Sequence, residues 1–387
     1  MKFLIDLRWA RSQTLDGIGR VSLCLMAELL RMESPHIFGL LFANAERAEF
    51  GLAWIRNYDT RPIKATYRVD RVGIDARSPL NRVVLPQRVR QFQPDLYFTP
   101  YYPFHPPAGI PCMGMVHDLI PLRYPEYFRE ASLPFRLLMT HATPLQLLLQ
   151  SCQKIITVSQ SSAQDLQQML GISPTKIQVV YPGVQVFQAH PNPQEVLHRF
   201  RLPLNKPFIL GVGRPEPYKN FQGLIQSYAR LPKPLREAHP LVLVGPAHPL
   251  QTPALEDLIQ RQGLTAFVHL TGAVAAADLP AFYQGAALFA FPSLYEGFGL
   301  PVLEAMAAGL PVLSSNRASL PEAAGDAAIL HDPEDREGWA RQIEKLLKNP
   351  ALCQTLREKG KAHAAKFSWQ RMAEGILKEL ETVGAQA

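Results

Sequence analysis

The chain has 387 residues, more than one hydrophobic core usually covers, so two domains are expected. Hydrophobic residues make up 47% and charged residues 19%, a globular balance that excludes a disordered or low-complexity chain. The net charge of +7 is unevenly shared: residues 1–185 carry 20 Lys and Arg against 14 Asp and Glu, and the remainder 20 against 19.

The start, Met1-Lys2-Phe3-Leu4-Ile5-Asp6-Leu7-Arg8, has charges where a signal peptide needs an apolar core, and it reads as a first strand. No apolar run is long enough to span a bilayer. Cys24, Cys112, Cys152 and Cys353 are scattered with no Cys-x-x-Cys pair, which suits reduced thiols, and a cytoplasmic location is expected. In the first half, strands are predicted at residues 3–6, 37–42, 95–99, 112–116, 154–159 and 177–181, with helices at 18–31, 133–151 and 161–170. Residues 182–206, rich in Pro, Gln and Asn, read as a linker plus a short helix. A second series then begins. Its strands are predicted at 208–212, 241–244, 268–270, 288–291 and 312–314, and its helices near 221–230, 255–262, 277–285, 301–307, 334–348, 351–365 and 368–382. This alternation argues for α/β architecture with two doubly wound parallel sheets, over 1–185 and 186–366, whose ligands lie at the carboxyl ends of the strands.

Much of the basic excess lies between residues 61 and 90: Arg61, Lys64, Arg68, Arg71, Arg77, Arg82, Arg88 and Arg90, against Asp70 and Asp75. Such a segment suits an anionic membrane surface or a lipid diphosphate, and equally a solvated charged face. No nucleic-acid-binding module accompanies it, so nucleic acid is not an expected partner.

The most informative stretch is Phe291-Pro292-Ser293-Leu294-Tyr295-Glu296-Gly297-Phe298-Gly299-Leu300-Pro301-Val302-Leu303-Glu304-Ala305-Met306. An apolar run suited to a buried parallel strand leads into a glycine-bearing loop and then a helix with Pro301 in its first turn. Gly297 and Gly299 allow close backbone approach, and the unpaired N–H groups of Phe298, Gly299 and Leu300 at the helix start favour an anion such as phosphate. Carboxylates beside that anion, Glu296 and Glu304, would repel it unless they bind something else, and paired hydroxyl groups suit them. Phosphate plus many hydroxyls describes a nucleotide sugar.

The pair Glu296 and Glu304, separated by seven residues within Glu-Gly-Phe-Gly-Leu-Pro, resembles the paired-glutamate signature of retaining GT-B glycosyltransferases of family 4 (glycosyl transferases group 1). The resemblance covers nearly the whole chain. It implies two facing Rossmann-like domains with a cleft between them: an acceptor-side domain over 1–185, a nucleotide-sugar domain over 186–366, and a last helix over 367–387 that crosses back to the first domain. It also implies that Glu304 holds the ribose hydroxyls while Glu296 binds the sugar ring or supports its charge. Gly211-Val212-Gly213-Arg214-Pro215-Glu216-Pro217-Tyr218-Lys219-Asn220 follows a strand and opens a helix, which sets two cations near a positive helix end. Arg214 and Lys219 look like the family's diphosphate-binding pair; a surface turn with solvated cations is the alternative.

Asp16-Gly17-Ile18-Gly19-Arg20 lacks the third glycine of a dinucleotide fingerprint. Gly17 and Gly19 resemble the family's glycine loop facing the donor phosphate, and mere turn chemistry fits as well. Met115-Val116-His117-Asp118-Leu119-Ile120-Pro121 puts a polar pair at a strand's carboxyl end. The resemblance assigns His117 to the donor sugar, with Asp118 a candidate for orienting the acceptor hydroxyl. Ser159 to Ser162 look like the family's strand–Ser–helix junction and fit helix caps equally, while Asn316 to Glu322 follows a strand and either lines the nucleotide end of the cleft or, through Ser319 and Glu322, forms a capping box; the structural role is favoured for both.

No Asp-x-Asp occurs, and no metal ligands are expected. The function implied is a metal-independent transferase with no cofactor beyond its donor. A GDP-sugar, GDP-mannose first, is favoured and a UDP-sugar is the alternative; the acceptor is a glycan or lipid-linked molecule. The combination Asp-Gly-Ile-Gly-Arg and His-Asp-Leu-Ile-Pro looks most like bacterial mannosyltransferases of surface glycan assembly, placed in the cytoplasm or on the inner face of the membrane. A glycosidase using Glu296 and Glu304 gives no reason for the neighbouring cations. A non-catalytic GT-B subunit or glycan-binding protein stays the second reading.

Overall fold

The computed structural model describes the chain except residues 11–15, 77, 79, 103–106, 108, 130, 203–205 and 387, and Arg82 by its backbone alone. The chain divides into two compact units, Met1–Gly183 with Ser368–Ala387, and Val184–Phe367.

The first unit is built on a seven-stranded sheet of parallel strands: β1 (Lys2–Asp6), β2 (Ile37–Phe42), β3 (Thr66–Arg71), β4 (Leu96–Thr99), β5 (Cys112–Val116), β6 (Lys154–Thr157) and β7 (Ile177–Val179). Their order is β3-β2-β1-β4-β5-β6-β7. β4 and β5 are buried at every position and β1 and β2 at all but the first, as strands covered by helices on both faces must be. β3, at one edge of the sheet, escaped the apolar pattern because Thr66, Arg68 and Arg71 are exposed.

The predicted helix over 133–151 is two helices, Leu133–Met139 and Ala142–Gln150. Pro144 explains the break: it fits a first turn, but in one continuous helix its ring would clash with the carbonyl of Thr140. The last helix, Trp369–Ala385, belongs to this unit and packs on Gly17–Arg31, burying Trp369, Met372, Ile376 and Leu380. His36 tethers it further through Glu381, at 2.8 Å.

Part of the basic segment is spoken for. Arg61 donates to both Glu28 oxygens at 2.8 and 3.0 Å and pairs with Asp59, while Lys64 pairs with Glu33 at 2.7 Å. Arg77 and the Arg82 side chain lie outside the described residues.

The second unit carries six parallel strands: β8 (Phe208–Val212), β9 (Leu241–Val244), β10 (Val268–Leu270), β11 (Ala286–Phe291), β12 (Val312–Ser315) and β13 (Ile329–His331), in the order β10-β9-β8-β11-β12-β13. Short, half-buried β13 is the edge strand that apolar periodicity missed. In both sheets the chain order reverses between two central strands, β1 and β4 in one and β8 and β11 in the other. Loops leaving the carboxyl ends of such a pair diverge and leave a crevice, the usual place for a ligand in this architecture. Among the described residues, no helix is long and apolar enough to cross a membrane.

Candidate functional site

In the second unit the two loops at the reversal are joined by hydrogen bonds. After β8 the chain makes a short 3-10 turn, Pro217–Lys219, and enters the helix Phe221–Ala229 through Asn220. Asn220 adopts a left-handed conformation (φ 56°), which its short polar side chain tolerates. Its amide donates to Pro292 O at 3.1 Å and Pro333 O at 2.9 Å, fastening this turn to the end of β11. Tyr218 O accepts from Leu294 N at 2.7 Å, and the buried Ser293 hydroxyl lies 3.0 Å from the same carbonyl.

This stitching brings Lys219 onto Glu296. The ammonium donates to both carboxylate oxygens, at 2.6 and 2.9 Å, and Ser293 Oγ lies 2.6 Å from one of them. The two side chains are only 13% and 10% exposed, so this is a mostly desolvated pair rather than a surface one. The ammonium also lies 5.2 Å from the Phe291 ring centre and 5.7 Å from that of Tyr218. Arg214 behaves differently: its side chain is 60% exposed, with Glu216 at 3.5 Å as a loose partner. The arginine is thus exposed while the lysine is held.

Gly299 opens the helix Leu300–Ala307 at φ 111°, and a Cβ there would lie 2.7 Å from Leu320 Cδ2, so only glycine fits without strain. The Phe298 ring is buried against Phe367, so only its backbone can face a ligand. Ser319 was predicted to form a capping box with Glu322; it makes no side-chain cap and instead donates toward the carbonyls of Glu296 and Phe298, at 2.8 and 2.9 Å. The cap pattern failed because two carbonyls of the buried glycine loop compete for the hydroxyl. Glu304, one turn into the helix, accepts from Tyr283 Oη at 3.1 Å and not from Lys219.

In the first unit, His117 ends β5 and is buried. Its Nε2 lies 2.8 Å from Pro100 O, which can only accept, so Nε2 carries the proton and Nδ1 presents a lone pair. Ser162 Oγ fixes the His117 carbonyl at 3.1 Å, while Ser159 caps the helix Gln160–Leu170. Burial pushes the imidazole pKa below its ordinary value of about 6.5, with the Pro100 carbonyl and the Asp16 charge pulling the other way. The histidine is therefore neutral at pH 7. Stability and activity that need the neutral ring are fully present above about pH 6.5 and are lost as pH falls through the lowered value. Ring-proton NMR should show His117 titrating below an exposed histidine, and the acid limb of kcat should track it; a titration above 6.5 would contradict this.

Asp118 Oδ1 accepts from Ile120 N at 2.9 Å, and its carbonyl accepts from Tyr102 Oη, so one carboxylate oxygen is committed to a local turn. Gly17 and Gly19 lie in the first turn of Gly17–Arg31, where Asp16 Oδ1 accepts from Gly19 N at 2.7 Å. Among the described residues, a Cβ on Gly17 would meet no atom within 4 Å. Among the described residues, no group of three or more His, Cys, Asp or Glu side chains could hold a metal ion.

The spacing of acids, cations and glycines was in the sequence; of the residues that hold them, Ser293 and Asn220 stood there only as members of quoted segments, Ser319 was read as a cap, and Tyr283 carried no signal. The chain is 30% identical over 257 residues to the O-antigen chain mannosyltransferase B of Escherichia coli, a match covering 66% of each chain. It is 32% identical over 238 residues to the serotype-specific mannosyltransferase WbdA of Escherichia coli, covering 59% of this chain and 29% of that one. The match thus spans just under two-thirds of the first relative and under a third of the second. The fold matches that of Anabaena Alr3699/HepE, solved in complex with UDP and glucose, at a TM-score of 0.74 and 20% identity, over 99% of this chain and 100% of that one. Residues 16–186 match the model for Glycosyltransferase Family 4 and residues 194–363 the model for Glycosyl transferases group 1. Matched in order over both halves, the chain belongs to the family 4, group 1 glycosyltransferases.

Proposed function

We propose that this chain is a retaining, metal-independent hexosyltransferase that moves a sugar from a nucleoside-diphosphate sugar to a glycan or lipid-linked acceptor. GDP-mannose is the first choice of donor, supported by the mannosyltransferase names of its Escherichia coli relatives. A UDP-sugar is the second, supported by the UDP and glucose in the Anabaena structure. The observation that carries the reading is the buried Lys219–Glu296 pair stitched across the loops of β8 and β11, beside a helix start opened by Gly299.

In this reading Arg214 and Lys219 hold the diphosphate, and charge that grows on it as the glycosidic bond breaks meets groups already in place. Glu304 takes the ribose hydroxyls. Glu296 keeps Lys219 oriented and offers its remaining lone pairs to the sugar. His117 Nδ1 accepts from a sugar hydroxyl. The acceptor hydroxyl attacks the anomeric carbon on the face the diphosphate leaves, gives its proton to the departing phosphate oxygen, and configuration is kept. Arg68 and Arg71 on the β3 edge, with the exposed Arg88 and Arg90, are the residues offered to an anionic surface, which would place the protein at the cytoplasmic face of a membrane.

A panel of GDP- and UDP-sugars, assayed for released nucleoside diphosphate with and without EDTA, tests the reading. Release from GDP-mannose unchanged by EDTA is expected. Binding of nucleotide with no release under any acceptor would favour a non-catalytic subunit, and full loss in EDTA would end the metal-independent scheme.

A further inference from the structure

We infer that Tyr283 is a positioning residue for the nucleotide, acting through Glu304; this rests on the reading that Glu304 takes the ribose hydroxyls. Glu304 stands on a helix of eight residues with three rotatable side-chain bonds, so its carboxylate needs an anchor to meet two hydroxyls at once. Tyr283 supplies it, with Oη 3.1 Å from Oε2. The tyrosine can aim that hydroxyl because its own ring is held. It is 4% exposed, at the end of the helix Leu279–Gly285. Phe187 meets the ring edge-on at 6.4 Å between centroids, and Phe289 of β11 lies at 6.1 Å. A phenol hydroxyl donates one proton, and a carboxylate has about four acceptor sites, so anchoring one oxygen leaves capacity for a diol. A hydrogen bond to an ionised group is among the stronger kinds, which suits a fixed anchor.

The test is calorimetric binding of GDP and of 2′,3′-dideoxy-GDP to the full chain, in the unaltered protein, Tyr283→Phe, Glu304→Gln and the double variant. The unaltered protein should prefer GDP by about tenfold, the worth of one such hydrogen bond. Tyr283→Phe, which keeps the ring, should lose most of that preference while binding dideoxy-GDP as before. The double variant should be no weaker than Glu304→Gln, and in Tyr283→Phe the KM for donor should rise by more than kcat falls. If the unaltered protein shows no preference for GDP, the role of Glu304 itself fails and the inference with it. If it shows the preference and Tyr283→Phe keeps it in full, the role of Glu304 stands and Tyr283 is merely core. Should Tyr283→Phe melt below the assay temperature, Phe187→Leu, which loosens the ring and spares the hydroxyl, is measured instead. An undiminished preference there would equally overturn the inference.

Discussion

Replacing Lys219 with methionine is expected to lower kcat by about 10²- to 10³-fold, the usual effect of removing one fixed group that stabilises developing charge. The same change should also destabilise the second unit. Lys219 and Glu296 meet at 2.6 Å with both side chains nearly buried, and methionine leaves the carboxylate with Ser293 as its remaining hydrogen-bond donor named above. An uncompensated buried charge of this kind costs about 3 kcal/mol. Two effects are thus predicted from one substitution, and they separate in the double variant. Lys219→Met with Glu296→Gln removes both charges, so the melting temperature should recover while turnover stays low. A purely structural pair would recover both.

The competing view is that a lysine bound to two oxygens has nothing left for phosphate. An ammonium has three donors, and two are engaged. The third stays available to a diphosphate, and the carboxylate fixes where it points. Arg214, exposed and loosely paired, can follow the same anion as it leaves. A Lys219→Met protein turning over within twofold of the original rate would remove the lysine from the chemistry.

The sheets were legible because their central strands are buried on both faces and so read as unbroken apolar runs, Phe289 to Phe291 in β11 being one case. Of the edge strands, β7 and β10 were read as apolar runs, whereas half-buried β13 and β3 were not: β3, Thr-Tyr-Arg-Val-Asp-Arg, presents half its side chains to solvent and read only as part of a basic segment. The same division runs through the site. Glu296, Glu304, Gly299, Arg214 and Lys219 stand out by residue type and spacing. That Lys219 and Glu296 bind each other, 77 residues apart, depends on Asn220 and Ser293 fastening two loops, and no local pattern encodes a contact between loops. Gly245 shows the limit most clearly. It follows β9 as an unremarked glycine, and its importance comes from the close approach of Gly213, just past the end of the neighbouring β8, which no local pattern encodes.

Gly245→Ala is expected to be the most damaging small substitution at the site. A Cβ there would lie 2.0 Å from Gly213 O and 2.7 Å from its carbonyl carbon, inside van der Waals contact with backbone that cannot rotate away. Gly213 is itself tied to β9 by its N–H, which donates to Val244 O at 2.8 Å, and it carries Arg214 as the next residue. Relief requires the β8 loop to lift from β9 and takes Arg214 with it. Overpacking against backbone costs about 3 kcal/mol, the upper part of the usual range, which for a unit of this size lowers Tm by roughly 10 °C. Nucleoside-diphosphate affinity should fall by about tenfold as the guanidinium moves. Gly263→Ala separates the two causes. There a Cβ meets no atom of the described residues within 4 Å but φ is +64°, so backbone strain is what is introduced, and the loss should stay near 1 kcal/mol with affinity unchanged. If the two variants melted together, the close approach of Gly245 to Gly213 would carry no weight in holding the arginine.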